Sequence, residues 1–474
     1  METGTMDRMK LEFHADTGGT FPMTWSQQEF WRKKIRAYSH DASRHFNLPL
    51  FIDLPDDITA DQAMVAVAFR RLVERNEVLR SHFLDGPEGI RQRVEQAGTI
   101  DLLVCQAPPE ASRSRAEALA AELATVPFDH ATEWGIRLAL VCAGGTPRHL
   151  AFAFSHMMTD GGGILALLND FFGLLRGQAD ASEPDRPWQP TDQLLREQSD
   201  RGARRNQAAI RYWRKQLERM PPSLFPWPAV PAQLPRFHRL HMNSRALAVA
   251  AARLAASCQV SVPSVVLAGT ALMLSALNGQ PTCAMAVVAS NRFDADIRAM
   301  VGIASQDGLF VADFNGGTVA EAVRTVHRSV QTALYYGHYD PCAMADLVDT
   351  IETQRGVRLD LSAMYNDLSR FVEAAEETGA GQAVATPDGE ADARELLAET
   401  VITPESTWEG QLITMYLSAS PGRDTCGLLL VADTACLPPP VMEALLLGIE
   451  KIVTEAAYRD IAVADIPALT GITR

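Results

Sequence analysis

Residues 152–163 constrain the fold of this chain more than any other segment. The residues from 149 to 155 form an apolar run that is typical of a buried strand, and residues 164–175 have the apolar spacing of a helix. His156, Asp160 and three consecutive glycines stand between them. A strand that ends in a histidine, turns on glycine and enters a helix fixes the imidazole beside the amide-rich end of that helix. We therefore predict a strand–turn–helix unit that presents His156, with its strand supplied by a hairpin across Gly144-Gly145.

This spacing suits acid–base chemistry, although it also has a plainer explanation. An imidazole titrates near neutral pH, which makes His156 a candidate general base. Asp160 lies where a side chain can cap the helix or pair with a distant arginine, and in the second arrangement it holds the shape of the turn and takes no proton itself. The alternative is that His156 is a buried, hydrogen-bonded core histidine and Asp160 a simple helix cap. The H-x-x-x-D-G pattern alone leaves both interpretations open.

Residues 155–161, SHMMTDG, resemble the HHxxxDG motif of the condensation domains of nonribosomal peptide synthetases. These domains belong to the superfamily that includes chloramphenicol acetyltransferase. The second histidine of the motif falls on His156, and Ser155 stands in place of the first. Further segments agree with the family in order, and the resemblance extends over roughly residues 20–460. They are MTWSQQEFW at 23–31, RNEVLRSHF at 75–83, PFD at 127–129, RYWRKQL at 211–217, NR at 291–292 with VGI at 301–303, and SAMYN at 362–366.

The order of strands and helices predicts an α/β fold in both halves of the chain. The resemblance implies two chloramphenicol-acetyltransferase-like lobes in a V shape, with a tunnel between them. We assign residues 1–20 to a loose leader, 21–180 to the N-terminal lobe, 181–235 to a linker and crossing helix, and 236–474 to the C-terminal lobe. Residues 371–400 are rich in Glu, Ala, Gly and Thr and poor in large apolar side chains, which is typical of a mobile insertion.

The resemblance also implies roles for the residues of the motif. His156 would orient or deprotonate an amine or alcohol as it attacks a thioester carbonyl. The backbone amides of Gly161 and Gly162 would stabilise the oxyanion that forms. Asp160 would pair with Arg292 across the lobes in a structural role, and the alternative for Arg292 is an ordinary exposed arginine.

Departures from the family pattern affect the expected substrate contacts. Ser155 replaces the first motif histidine but keeps a hydroxyl donor. Residues 305–308, SQDG, replace the family's NTLP, and Asp307 therefore either holds a basic amine nucleophile or lies in a turn. The predicted substrate-binding residues are Ser155, Gly162, Ser305, Asp307 and Tyr365.

Composition excludes several other classes of protein. The formal net charge of -15 and the isoelectric point near 5.2 argue against nucleic-acid binding, which needs a basic face. The seven cysteines are scattered without a C-x-x-C pair, and we expect reduced thiols in the cytoplasm and no metal site. Residues 259–291 carry no charge, but Pro263, Gly269 and a turn at 278–281 divide them. We therefore predict a buried helix and strand there, with no membrane span.

Residues 192–220 are predicted to form one long helix that is rich in arginine. A charged helix surface of this kind is usually a solvated face. In an acidic protein it is also a candidate docking surface for an acidic partner, and both interpretations remain open.

These observations lead to one hypothesis with two alternatives. We expect a monomeric condensation enzyme that joins an acyl or aminoacyl thioester to a small-molecule amine or alcohol in natural-product biosynthesis. The thioester would arrive on the phosphopantetheine arm of a peptidyl or acyl carrier protein. The sequence ends without adenylation or carrier segments, and we therefore expect a free-standing enzyme without a bound cofactor. The alternatives are an acyltransferase of the same fold that uses coenzyme A as donor, and a catalytically silent homologue that only recruits carrier proteins.

Overall fold

The computed structural model shows a mixed α/β chain, which confirms the predicted fold class. It describes residues 6–39, 43–55, 57–86, 89–177, 186–225, 230–377 and 392–472. The chain divides into two units. The first unit runs to Arg205 and also includes Ser290–Gln306, and the second comprises Asn206–Ala289 and Asp307–Arg474.

Two sheets form the first unit. Their strands are β1 (Met6–His14), β2 (Gly19–Pro22), β3 (Asn47–Asp53), β4 (Ser81–Leu84), β5 (Arg91–Val94), β6 (Ala97–Ala107), β7 (Ile136–Ala143) and β8 (Thr146–Ser155). The larger sheet has the order β1-β6-β7-β8-β3, and the smaller has the order β2-β5-β4. β7 and β8 form the predicted hairpin, in which Gly144 and Gly145 have φ values of 58° and 80°. Positive φ at both positions is what a two-residue type I′ turn requires, and glycine adopts it without strain.

Helices cover both faces of the larger sheet. The helices of this unit are α1 (Trp25–Phe30), α2 (Gln62–Arg75), α3 (Ser112–Ala124), α4 (Gly161–Leu175) and α5 (Pro190–Gln198), with a π-helical turn at Trp31–Ile35 and shorter turns at Arg44–Phe46, Glu77–Arg80, Pro109–Ala111 and Ala295–Arg298. Leu138 and Leu140 of β7 belong to the apolar cluster that contains α2 and α4, whereas Ala139 and Val141 belong to the cluster of α3. The two-residue period of the strand thus buries both of its faces, and this rigid support lies directly behind the end of β8.

A seven-stranded sheet forms the second unit. The unit boundary falls within α6 (Asp200–Arg219), and the strands that follow are β9 (Phe237–Ser244), β10 (Thr282–Ala289), β11 (Gln306–Asp313), β12 (Ala363–Asp367), β13 (Val401–Trp408), β14 (Met415–Pro421) and β15 (Cys426–Asp433). Their order is β11-β10-β12-β14-β15-β9-β13. The helices are α7 (Arg245–Cys258), α8 (Val262–Asn278), α9 (Val319–Tyr335), α10 (Pro341–Arg355), α11 (Ser369–Glu377), α12 (Pro439–Ala456) and α13 (Ile466–Thr470), with short turns at Glu395–Glu399 and Val463–Asp465.

The uncharged residues 259–291 form α8 and β10, as predicted, and both elements lie in the main apolar core of the second unit. Within the described ranges, no one helix has the length and apolarity needed to cross a bilayer. The bent pair α7 and α8 meets those criteria only when the two helices are counted together.

The prediction of a loose leader over residues 1–20 is wrong for most of that segment. Met6–His14 forms β1, which pairs antiparallel with β6 along its whole length. Leu11 and Phe13 are buried, and Glu12 between them is exposed. The alternation of apolar and polar residues in β1 is short, and the first half of the strand has polar residues on both faces. The sequence therefore suggested a loose leader.

Three further interpretations of the chain need correction. Residues 192–220 form two helices, α5 and α6, because Ser199 has extended backbone angles and its hydroxyl accepts a hydrogen bond from the N–H of Gly202 at 3.3 Å.

The described parts of the predicted mobile insertion are helical at Ser369–Glu377 and at Glu395–Glu399, while residues 378–391 lie outside the described ranges. The unit boundary at Arg205 also differs from the predicted lobe limits at residues 180 and 236.

Candidate active site around His156

The predicted strand–turn–helix unit is confirmed, because β8 ends at Ser155 and α4 begins at Gly161. The backbone N–H of His156 donates to the carbonyl of Phe46 at 3.0 Å, and the N–H of Ser155 donates to the carbonyl of Gly135 at 2.9 Å. These bonds fix the main chain on both sides of the turn. His156 therefore leaves a rigid strand end at a defined position.

The imidazole of His156 is held by packing and is poised in its neutral form. Its ring stacks on Phe30, with the ring centroids 4.6 Å apart and an interplanar angle of 29°. Nδ1 is buried and has no hydrogen-bond partner among the described residues, although the residue as a whole is partly exposed. Burial lowers the pKa of His156, and the positive charge of Lys34 lowers it further. The backbone of His156 and Thr159 and the carboxylate of Asp160 favour the charged ring, but the effect of burial is larger. These features do not fit a hydrogen-bonded core histidine.

Asp160 both caps α4 and pairs with an arginine, so the two roles that the sequence left open are combined. Its Oδ1 accepts from the N–H of Gly163 at 2.8 Å and from Arg292 Nη2 at 2.9 Å. Its Oδ2 accepts from the N–H groups of Ala304 and Ser305, both at 2.8 Å. Burial alone would raise the pKa of Asp160, but Arg292 and these backbone donors lower it overall. The carboxylate therefore stays ionised at neutral pH and is unsuited to proton transfer.

Arg292 uses both of its terminal nitrogens to bind backbone carbonyls. Nη1 donates to the carbonyls of Ile297 at 2.6 Å and Met300 at 2.8 Å, and Nη2 donates to the carbonyl of Gly302 at 2.6 Å in addition to Asp160. Only 4% of the Arg292 side chain is exposed, so the alternative of an ordinary exposed arginine is wrong. The guanidinium organises the loop around itself and attaches it to the start of α4.

The predicted pair of Asp160 and Arg292 is present, but it does not join two lobes. Arg292 lies in Ser290–Gln306, and this segment belongs to the same unit as Asp160. Although the segment follows β10 of the second unit in sequence, the N–H groups of its Ala304 and Ser305 donate to Asp160 of the first unit. The Asp160–Arg292 pair is therefore internal to one unit.

Close packing explains the glycines of the motif. A Cβ atom on Gly162 would lie 2.4 Å from Nε of Arg292, and one on Gly163 would lie 2.5 Å from the carbonyl oxygen of Gly302. Both distances are far below normal contact. The N–H of Gly163 is already bonded to Asp160, which leaves the amides of Gly161 and Gly162 as the candidate oxyanion donors at the start of α4.

Ser155 makes a contact that the sequence did not reveal. Its hydroxyl lies 2.7 Å from Nε2 of His130 and accepts a longer hydrogen bond from the N–H of Met157 at 3.2 Å. Because the residue is buried, this arrangement supports the turn. The substrate contact of Ser155 stays a prediction. His130 follows the PFD segment directly, but no local pattern pairs it with a residue in β8.

The remaining predicted site residues are dispersed over the chain. Ser305 is partly exposed and contributes its backbone N–H to Asp160. Asp307 is partly exposed within β11, so the alternative of a turn is wrong. Tyr365 lies on β12, and burial raises the pKa of its phenol well above the ordinary value. Asp307 and Tyr365 belong to the second unit, and their substrate contacts stay predictions.

Comparison with known proteins shows a family match and related sequences. Residues 19–366 match the family model described as Condensation domain. The chain is 27% identical over 229 residues to the probable non-canonical nonribosomal peptide synthetase CymA of Salinispora arenicola, and the match covers 44% of this chain and 3% of CymA. It is 26% identical over 331 residues to phosphinothricin tripeptide synthetase PhsB of Streptomyces viridochromogenes, which covers 66% of this chain and 27% of PhsB. The chain thus matches only a minor part of the length of these relatives.

Solved structures share the fold over nearly the whole chain. The X-domain from teicoplanin biosynthesis has a TM-score of 0.67 and 17% identity, and the match covers 95% of this chain and 98% of that domain. SgcC5 from Streptomyces globisporus has a TM-score of 0.68 and 15% identity, with 92% and 99% of the two chains covered. At these identities the likeness shows a common fold and no more.

Proposed function

Because this chain belongs to the condensation-domain family, we propose that it forms amide or ester bonds at His156. The donor is an acyl or aminoacyl thioester on the phosphopantetheine arm of a carrier protein, and the acceptor is a small-molecule amine or alcohol of a natural-product pathway. The observation that carries the proposal is the imidazole of His156, which is partly exposed, kept neutral by its surroundings and adjacent to the start of α4.

The chemistry follows from the two nitrogens of that ring. Nδ1 is buried, which leaves Nε2 as the nitrogen that can reach a substrate. Nε2 takes the proton of the amine or alcohol as its nitrogen or oxygen attacks the thioester carbonyl. The new C–N or C–O bond forms, the C–S bond breaks, and the proton passes from the imidazolium to the departing thiolate.

The backbone around His156 supports the charge that develops during this step. The carbonyl oxygen becomes an oxyanion, and the amides of Gly161 and Gly162 at the N-terminus of α4 are suitable donors for it. Asp160 does not take part in proton transfer, because Arg292 and three backbone N–H groups hold it as a carboxylate. Its role is to fix the turn relative to the loop around Arg292.

The experiment that tests the proposal compares two forms of the same donor. Matched acyl groups are presented on coenzyme A and on a carrier protein, with mixtures of amino acids and of alcohols as acceptors. We expect acceptor-dependent release of thiol together with a new amide or ester in mass spectra, and faster turnover with the carrier-bound donor. Equal or faster turnover with the coenzyme A form would support the coenzyme A-dependent alternative. Carrier binding without thiol release from either donor would identify a silent homologue.

The pH dependence of the reaction gives a separate prediction. Burial lowers the pKa of His156 below the ordinary value of 6.5, with Asp160 and Lys34 as the charged groups that act on the ring in opposite directions. The imidazole therefore remains neutral as the pH falls to 6.5, and kcat/KM should decline only at lower pH. The measurement is kcat/KM between about pH 5 and pH 8 with a saturating acceptor. An acid limb with its midpoint above 6.5 would contradict the role assigned to burial.

A further inference from the structure

Phe30 is the residue that contacts the face of the His156 imidazole. The two rings lie 4.6 Å apart at 29°, close to a parallel stack. Among the described residues, no hydrogen bond orients the ring through Nδ1. General bases of this type are commonly oriented by a hydrogen bond to the second nitrogen. Here the flat surface of Phe30 lies against the imidazole instead.

The backbone directly after Phe30 has an unusual conformation. Phe30 is the last residue of α1, and the chain continues in a π-helical turn at Trp31–Ile35. A π-helical turn widens the helix and changes the direction in which side chains leave it, and such turns are frequent at functional sites. The capping box of Thr24 and Gln27 fixes the other end of α1. Phe30 itself keeps α-helical backbone angles and lies where α1 passes into this turn.

Phe46 connects the backbone of His156 with the ring that covers it. Its carbonyl accepts the N–H of His156 at 3.0 Å, and its side chain contacts Phe30 edge-on with the centroids 5.7 Å apart. Tyr38 also packs edge-on against Phe46, with the ring centroids 5.1 Å apart. Phe46 thus holds the main chain of His156, and Phe30, which packs on Phe46, contacts its side chain. Edge-to-face and offset-stacked pairs of this kind are favourable and specific in geometry.

We propose that Phe30 is a positioning residue, which holds the imidazole of His156 in the orientation that catalysis needs and shields one of its faces from water. This inference rests on the proposed function, because it assigns Phe30 to the reaction at the same histidine. It predicts that orientation and shielding can be separated by the choice of side chain at position 30.

Three substitutions test the two effects. Phe30→Tyr keeps the flat ring and should leave kcat within about twofold of the wild type. Phe30→Leu keeps an apolar cover but removes the stack, and kcat should fall about tenfold with KM nearly unchanged. Phe30→Ala removes both, and in addition to the loss of kcat the acid limb of the pH profile should move up toward 6.5 as water reaches the ring. Asp160 and Lys34 remain in each variant, so this shift reports the cover of the ring alone.

A spectroscopic readout makes the test independent of turnover. The protein contains 11 histidines, and the signal of His156 is identified by its absence from the NMR spectrum of a His156→Gln variant with labelled histidine. Its titration midpoint should lie below 6.5 in the wild type and rise in Phe30→Ala. Phe172→Leu, an aromatic-to-aliphatic change near the end of α4, is the matched control, and it should alter neither kcat nor the titration.

The outcomes separate the two proposals. If the wild type shows no turnover with any donor, the proposed function fails, and the NMR titration still decides whether Phe30 shields His156. If the wild type is active but Phe30→Leu and Phe30→Ala keep kcat within about twofold, the positioning role is overturned. An unchanged titration of His156 in Phe30→Ala would overturn the shielding role.

Discussion

Replacement of His156 by alanine is expected to lower kcat by about 10²- to 10⁴-fold, the range typical of the loss of a general base. The reason is specific to this site. Asp160 is the nearby carboxylate, and its oxygens accept four hydrogen bonds from Gly163, Arg292, Ala304 and Ser305, so it cannot replace the imidazole as a base. The measurement is single-turnover formation of the amide or ester from a preloaded carrier protein, which isolates the chemical step from product release.

The fold should tolerate this substitution, because His156 lies in a turn and its backbone bond to Phe46 does not depend on the side chain. Thermal unfolding and carrier binding of His156→Ala should therefore stay close to those of the wild type. His14→Ala is a matched control, since this histidine is exposed on β1 and has no role in the proposed reaction. A single-turnover rate for His156→Ala within about fivefold of the wild type would end its assignment as the base.

The immediate surroundings of His156 could be predicted from the sequence because they are encoded locally. An apolar strand, a glycine turn and an apolar helix follow one another within residues 149–175, and each has its own pattern. The hairpin at Gly144 and Gly145 was predictable for the same reason. The pairing of Asp160 with Arg292 was expected only from the resemblance to the family, since 132 residues separate them.

The contacts that distinguish this site could not be read from the sequence, because they join segments that are distant along the chain. Phe30 stacks on His156 from α1, 126 positions earlier in the chain, and helical periodicity gives no signal for such a contact. His130 meets Ser155 only because the loop before β7 folds over the end of β8. The place of Arg292 in the first unit was also missed, since sequence order puts it after β10 of the second. Local patterns thus predicted the elements, while the supports of the imidazole depend on tertiary packing.

Replacement of Arg292 by methionine is expected to lower the free energy of unfolding by about 3–5 kcal/mol, the range for removal of one partner from a buried ion pair. Methionine fills part of the space but donates no hydrogen bond. The carboxylate of Asp160 would remain buried without its cation, and the carbonyls of Ile297, Met300 and Gly302 would lose their donor. Chemical denaturation at neutral pH measures the effect. Arg8→Met is the control, because the Arg8–Asp101 pair of the same unit is largely exposed and its loss should change stability by at most about 1 kcal/mol.

The pH dependence and a second substitution show whether charge causes this loss. The pKa of Asp160 is below the unfolded value of 3.8 in the folded protein, so its stabilising contribution is present above that pH and is lost as the pH falls through the folded pKa. The difference between the wild type and Arg292→Met should therefore shrink in acid. Adding Asp160→Asn to Arg292→Met removes the unpaired charge but keeps an oxygen that can cap α4, and the double variant should be more stable than Arg292→Met alone. If the double variant is less stable than Arg292→Met, and the loss is the same at all pH values, then Arg292 acts through its carbonyl contacts and packing, and the ion pair with Asp160 contributes little.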